Sequence, residues 1–206
     1  MCLVAGSYKV FTKTNFDTCK VPMKLLIRQT KAEDLDAESL FADNDACINY
    51  YEHFFSTPFP FEKYDTVFVP EFRISGMENV GCTVLAERMV LPKAEMTDDL
   101  KCFLIKVVSH EIAHSWFGDL VSIEWWDSVW LKESIADFFC GVCTMECPRL
   151  VQMYPDPATT FLNIKRQALA IDNSVITHPV YVDVPETSSA VNAFDHICYR
   201  KGASFV

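Results

Sequence analysis

The chain has 206 residues, 50% hydrophobic and 22% charged, a globular balance that suits one substantial core and excludes a disordered tract. Its 18 basic and 28 acidic side chains give a formal charge of −10, which argues against nucleic acid and anionic membrane as partners and favours cationic ligands such as peptide N-termini. No stretch of eighteen apolar residues occurs, so no transmembrane segment is expected, and the first residues lack the charged lead of a secretion signal.

In chain order, apolar or β-branched runs predict strands near 3–11, 23–29, 65–72 and 82–91. Helical spacing predicts helices near 37–55, 99–118, 129–146, 157–172 and 192–206, with Asp156-Pro157 as cap and first turn of the fourth. The stretch 173–191, with His178-Pro179, Pro185 and Ser188-Ser189, reads as a loop. No internal repeat is evident.

The chemistry concentrates in His110-Glu111-Ile112-Ala113-His114, followed after eighteen residues by Glu133. Four helical positions rotate by about 400°, so both imidazoles leave one face and can converge on one ion. Two histidines and a carboxylate are a known ligand set for catalytic zinc, with the fourth position left to water. His110, His114 and Glu133 are therefore the candidate ligands of one Zn2+. Glu111, between the histidines, is free to face a zinc-bound water and is the candidate general base. Apolar residues at 131, 135, 138 and 139 place Glu133 on a helix, and Asp137, one turn further along, is the candidate for orienting an imidazole. Gly118 offers a stop to the first helix. His53, His178 and His196 have no ligand partner at readable spacing and read as structural or surface residues.

The segments His-Glu-Ile-Ala-His-Ser-Trp-Phe-Gly-Asp-Leu-Val (110–121), Trp-Trp-Asp (125–127) and Trp-Leu-Lys-Glu-Ser (130–134) resemble the zinc aminopeptidases of the aminopeptidase N type, within the gluzincins. Ser75-Gly76-Met77-Glu78-Asn79 is similar to that family's Gly-x-Met-Glu-Asn exopeptidase signature, with Ser75 in place of the first glycine, where a Cβ would tolerate a strained backbone angle less well. Phe194 to Ala203 is similar to the segment that carries its catalytic tyrosine, which falls on Tyr199. The resemblance implies an α+β, thermolysin-like metallopeptidase domain: a small mixed sheet followed by a helical lobe. It further implies that 1–14 is the tail of a preceding β-rich domain and that 15–206 is the catalytic domain, truncated at its C-terminus, with apolar surface left exposed.

An aminopeptidase must bind a free α-ammonium and measure one residue to the scissile bond. A fixed carboxylate at Glu78 does both, with Asn79 beside it, while the backbone of Gly76 and Met77 can pair with an extended peptide. Tyr199 would stabilise the oxyanion formed on the attacked carbonyl. The expected substrates are thus peptides with a free N-terminus. Glu78 argues against a plain endopeptidase; a related epoxide hydrolase and a truncated, non-catalytic interaction module are the alternative readings.

Nine cysteines form an odd, scattered set, which favours a reducing, cytoplasmic setting over a disulfide framework. Cys140, Cys143 and Cys147 could suggest a second metal or a redox pair, but they continue the Glu133 helix at core-facing spacing and read as packing residues.

Overall fold

The computed structural model describes residues 2–15, 18–154 and 156–206, with the backbone alone described for 157, 160, 161 and 164. Five strands form one mixed sheet: β1 (Tyr8–Lys13), β2 (Met23–Arg28), β3 (Tyr64–Val69), β4 (Gly76–Met77) and β5 (Cys82–Ala86), in the order β1-β2-β3-β5-β4. The central β2-β3-β5 pairs are parallel, and the outer strands β1 and β4 are antiparallel to their neighbours. Along β2 the side chains of Met23, Leu25 and Ile27 are buried while Lys24 and Arg28 are not, the period-two pattern of a strand with one covered face. β3 is buried from Tyr64 to Phe68, as befits the middle of the sheet. The first strand, β1, pairs with β2 over six residue positions at one edge of the sheet.

Helix α1 (Ala37–Phe54) crosses between the parallel strands β2 and β3. Its N-terminus is capped by Asp36, whose side chain accepts from the Ser39 N–H at 3.1 Å. α2 (Asp98–Ala113) starts at Thr97, whose hydroxyl accepts from the Leu100 N–H, and carries Asp98 and Asp99 in its first turn, where the helix dipole favours them. α3 (Val129–Glu146) and α4 (Pro157–Asp172) follow, the latter capped by Asp156 with Pro157 in the first turn, in agreement with the cap read from sequence. α1 and α2 pack together through Tyr51, which is fully buried and bonds both Ser109 Oγ (2.9 Å) and the Ser109 carbonyl (3.2 Å). The main core joins β2, β3, β5, α1, α2 and α3 in one apolar cluster.

Several boundaries differ from the sequence reading: the strand expected at 3–11 is Tyr8–Lys13, and the one expected at 65–72 ends at Val69. α2 ends at Ala113 rather than near 118, because the chain tightens into turns there, Ser115 N–H reaching the Ile112 carbonyl and Trp116 N–H the Ala113 carbonyl. The strand expected at 82–91 stops at Ala86 and gives way to a 3₁₀ turn, Glu87–Met89. The helix expected over 192–206 is three short pieces: a 3₁₀ segment Thr187–Ala193, a π-helix Ile197–Lys201 and a 3₁₀ turn Gly202–Ser204. Asp195 restarts the chain between the first two, its carboxylate accepting from the Cys198 N–H at 2.9 Å as a helix cap does. This segment packs on α3 over a second, smaller apolar cluster that includes Val129, Val184, Ala190, Ala193 and Cys198.

All nine cysteines are free thiols. Cys140, Cys143 and Cys147 are buried and pack into the core, Cys140 Sγ donating to the Lys106 carbonyl at 3.2 Å. Among the described residues no helix is long and apolar enough to cross a membrane.

Candidate active site

A cleft of about 910 Å³ opens between β4, the inner face of α2, the first half of α3 and the Tyr199 segment. His110 and His114 stand on the last turn and the C-cap of α2, and Glu133 on the second turn of α3, two helices packed side by side. Helical spacing superposes the imidazoles: their ring centroids are 4.7 Å apart, and the planes meet at 83°. The Nε2 atoms lie 3.0 Å apart, and Glu133 Oε2 is 3.3 Å from each of them. Donor atoms about 2.0–2.1 Å from a tetrahedral zinc lie roughly 3.3 Å from one another, so this triangle has the size of a zinc ligand set. Among the described residues it is the one group of three histidine, cysteine or carboxylate side chains close enough to share an ion.

The supporting contacts are those a ligand set needs. His114, 1% exposed, donates from Nδ1 to the Phe117 carbonyl at 2.9 Å, which leaves Nε2 as the lone-pair nitrogen of the neutral ring. That carbonyl is turned inward by the loop after α2, where Gly118 adopts φ +136°, a backbone conformation side-chain-bearing residues rarely take. A Cβ there would also approach His114 Nδ1 to 3.0 Å. Asp137, the sequence candidate for orienting an imidazole, instead forms an ion pair with Lys106 at 3.5 Å. A carboxylate on α3 finds the ammonium one turn before His110 on α2, and a backbone carbonyl serves His114.

The charge balance points the same way. Glu78, Glu111 and Glu133 line one cleft and are all well buried. Burial pushes Glu111 up to about 8, with Glu78 and Glu133 adding to the rise against the opposing pull of His114. Burial opposes a charged His114, but the neighbouring Glu133 outweighs it and pushes the imidazole to about 9. Glu133 itself is held well below the usual carboxylate range, despite its burial, by the two histidines and Lys132. Asp119 is raised to about 7 by burial and by Glu78. A divalent cation among His110, His114 and Glu133 would add positive charge beside these carboxylates.

The exopeptidase-like segment forms β4, an edge strand paired only with β5 (Gly76 with Leu85, Met77 with Val84). Gly76 lies against the candidate base: a Cβ built on it would come within 2.1 Å of Glu111 Oε1 and 2.8 Å of its Cγ. Ser75 lies outside the left-handed region, so its Cβ brings no backbone strain, and its carbonyl accepts from the Ala86 N–H at 2.9 Å. Glu78 lines the cleft and pairs with Lys132 Nζ at 2.5 Å. Burial alone would raise its carboxyl, yet His114 and Lys132 hold it below the ordinary value. Asn79 takes part in the turn after β4, its carbonyl accepting from the Cys82 N–H at 2.8 Å, and does not line the cleft.

Tyr199 reaches the cleft from the π-helix, its ring centroid 5.9 Å from that of His110. Burial, then the Glu133 charge, keeps its phenol protonated well above the usual range. Ser134 Oγ donates to the Cys198 carbonyl at 2.7 Å, tying the residue after Glu133 to the residue before Tyr199. Gly202 makes this approach possible, since a Cβ there would fall 1.8 Å from Ser134 Oγ.

Sequence reasoning missed Lys132, whose Nζ lies 2.5 Å from Glu78 Oε1 and 2.5 Å from Glu133 Oε1. The available signal was a lysine beside the third candidate ligand in an otherwise apolar stretch, since a cation held there must find carboxylates. Asp119 was also passed over, while His178, read as a structural or surface residue, has a structural contact. His178 Nε2 lies 2.5 Å from Asp195 Oδ2, so it secures the residue that caps the tyrosine segment.

Comparison with known proteins agrees with this geometry. The Peptidase family M1 domain matches residues 41–206. The chain is 35% identical over 204 residues to Aminopeptidase N of Streptomyces lividans, covering 98% of this chain and 24% of that protein. It is 36% identical over 162 residues to Probable aminopeptidase 2 of Sulfurisphaera tokodaii and 35% identical over 164 residues to Leucyl aminopeptidase of Saccharolobus solfataricus, each match covering 77% of this chain and 20% of the relative. The chain thus spans about a quarter or less of the length of these curated relatives. With the family's domain matched across most of its length, and the ligand triangle, the paired glutamates and the tyrosine gathered at one cleft, the chain belongs to peptidase family M1.

Proposed function

We propose that this chain carries the catalytic centre of a zinc-dependent aminopeptidase that removes the N-terminal residue of peptides. The observation that carries the reading is the triangle of His110 Nε2, His114 Nε2 and Glu133 Oε2, with edges of 3.0 to 3.3 Å, set beside a buried glutamate and a part-buried tyrosine. Zinc held by these three residues supplies, when bound, Lewis acidity toward water and the scissile carbonyl.

The remaining work falls to the chain. Glu111 accepts a proton from the attacking water and returns it to the leaving amine. Tyr199 keeps its phenolic proton and donates a hydrogen bond to the oxyanion as charge develops there. Glu78 holds the α-ammonium of the substrate and closes the groove beyond it, which limits cleavage to one residue. The unpaired edge of β4 at Gly76 and Met77 is suited to receive the extended peptide as an added strand. The names of the relatives, aminopeptidases in three organisms, support the same substrate class.

The test compares L-leucine 4-nitroanilide with its N-acetylated form on the zinc-loaded protein. Cleavage restricted to the free amine is expected. Equal cleavage of both would replace the exopeptidase reading with an endopeptidase, and cleavage of neither would contradict the proposed activity.

A further inference from the structure

The carboxylate assigned to the substrate's ammonium already holds one that belongs to the protein. Lys132 Nζ bridges Glu78 Oε1 and Glu133 Oε1, at 2.5 Å from each, and its side chain is 10% exposed. Lys132 and Glu133 are consecutive on α3, whereas Glu78 follows β4, 54 positions away in sequence, so the bridge joins the amine subsite to the candidate metal site. On its other side the ammonium faces the Phe194 ring, 5.8 Å from the centroid. An aromatic face within about 6 Å is a second resting place for a cation.

We propose that Lys132 is a specificity-determining residue: its ammonium occupies the place on Glu78 that a free peptide N-terminus takes, and an incoming substrate displaces it toward the face of Phe194. The inference rests on the reading of Glu78 as the amine-binding carboxylate. Two ammonium ions on one carboxylate repel each other, and the side chains of Lys132 and Glu78 are only 10% and 13% exposed, which limits screening. Glu78 therefore presents an incoming amine with a neutralised pair, not a bare charge. Lysine can yield because its charge sits on a flexible four-carbon stem, while the helix that carries it stays packed. Free amines consequently bind more weakly than the geometry of Glu78 alone would allow, and ligands must recover the difference elsewhere in the cleft. Lys132 also engages Oε1 of Glu133, which leaves Oε2 turned to the two imidazoles.

The experiment measures KM for L-leucine 4-nitroanilide on the zinc-loaded protein and, independently of turnover, the calorimetric Kd of L-leucinamide on the metal-stripped protein. Lys132→Met is expected to lower both by about three- to tenfold, the size of one competing charge-assisted contact. The effect of Lys132→Met should vanish in a Glu78→Ala background. Should Lys132→Met disturb folding, Lys132→Gln read by the same calorimetry replaces it. Unchanged or weaker amine binding without the lysine, while Glu78→Ala alone does weaken it, overturns the role of Lys132 and leaves Glu78 in place. If Glu78→Ala alone has no effect on amine binding, the amine subsite itself is wrong and the Lys132 inference falls with it.

Discussion

The candidate metal ligands stand on two long α-helices whose inner faces merge with the main core, whereas Tyr199 stands on a five-residue π-helix between two 3₁₀ segments over a much smaller apolar cluster. The first region is held by burial: Ile112, Ala113 and Ala136 are fully buried around the histidines and Glu133. The second is held by polar clips, chiefly Ser134 to the Cys198 carbonyl, Asp195 to the Cys198 N–H and His178 to Asp195. One chain thus places its candidate ligands by packing and its proposed oxyanion donor by hydrogen bonds. Substitutions in the first region should act through chemistry or close contact, and those in the second through position.

The sharpest break in that comparison is Glu111→Gln. It preserves shape and leaves the ligand triangle intact, so zinc content should be unchanged while kcat falls about 10²–10⁴-fold. A near-normal rate in a protein of full metal content would remove the general-base role. Tyr199→Phe comes next: loss of one oxyanion donor should lower kcat about 10²–10³-fold with little change in KM. Steady-state kinetics that show a loss confined to KM would make Tyr199 a binding residue.

Gly76→Ala tests the contact between β4 and α2. The added Cβ would meet Glu111 at 2.1 Å, and Glu111, 5% exposed, has little room to move. Misplacement of the base by about 1 Å should cost up to roughly 10²-fold in kcat, with thermal stability and zinc content as controls. A fully active alanine variant would show that the base is not confined by that strand.

Much of the first region was legible in sequence because its signals are periodic. The i, i+4 histidines, the helix bounds at 37–55 and 129–146, and the apolar or β-branched runs of β2, β3 and β5 all follow from spacing. β4 escaped because two residues show no period, and the Tyr199 segment because its apolar pattern suits a continuous helix that Asp195 interrupts with its side chain. Lys132 escaped for a different reason: neighbours on a helix do not face each other, and the two carboxylates meet only because Glu78 arrives from a distant strand. The same limit applies to Asp137, whose partner Lys106 lies on another helix.

The smallest effect is expected at the clip. The pair with Asp195, aided by the Pro179 carbonyl, raises His178 above its ordinary value of 6.5. A raised folded value means that the pair's contribution is fully present below about pH 6.5 and is lost as pH rises through the folded value. Lys201, which is paired with Asp172, opposes this rise, and Asp172 also feels the imidazole. His178→Gln should therefore lower Tm by about 1–3 °C at pH 6, as suits a part-exposed pair, and by less at pH 9. A loss that grows with pH would contradict this sign.

The proposed centre depends most on three side chains sharing one ion, and metal content measured with a site-specific control tests that directly. Elemental analysis of the folded protein after zinc reconstitution and removal of free metal should find one zinc per chain, and the ion should be lost in His114→Ala. Absence of zinc from the parent protein, or its full retention in His114→Ala, would contradict the proposed centre.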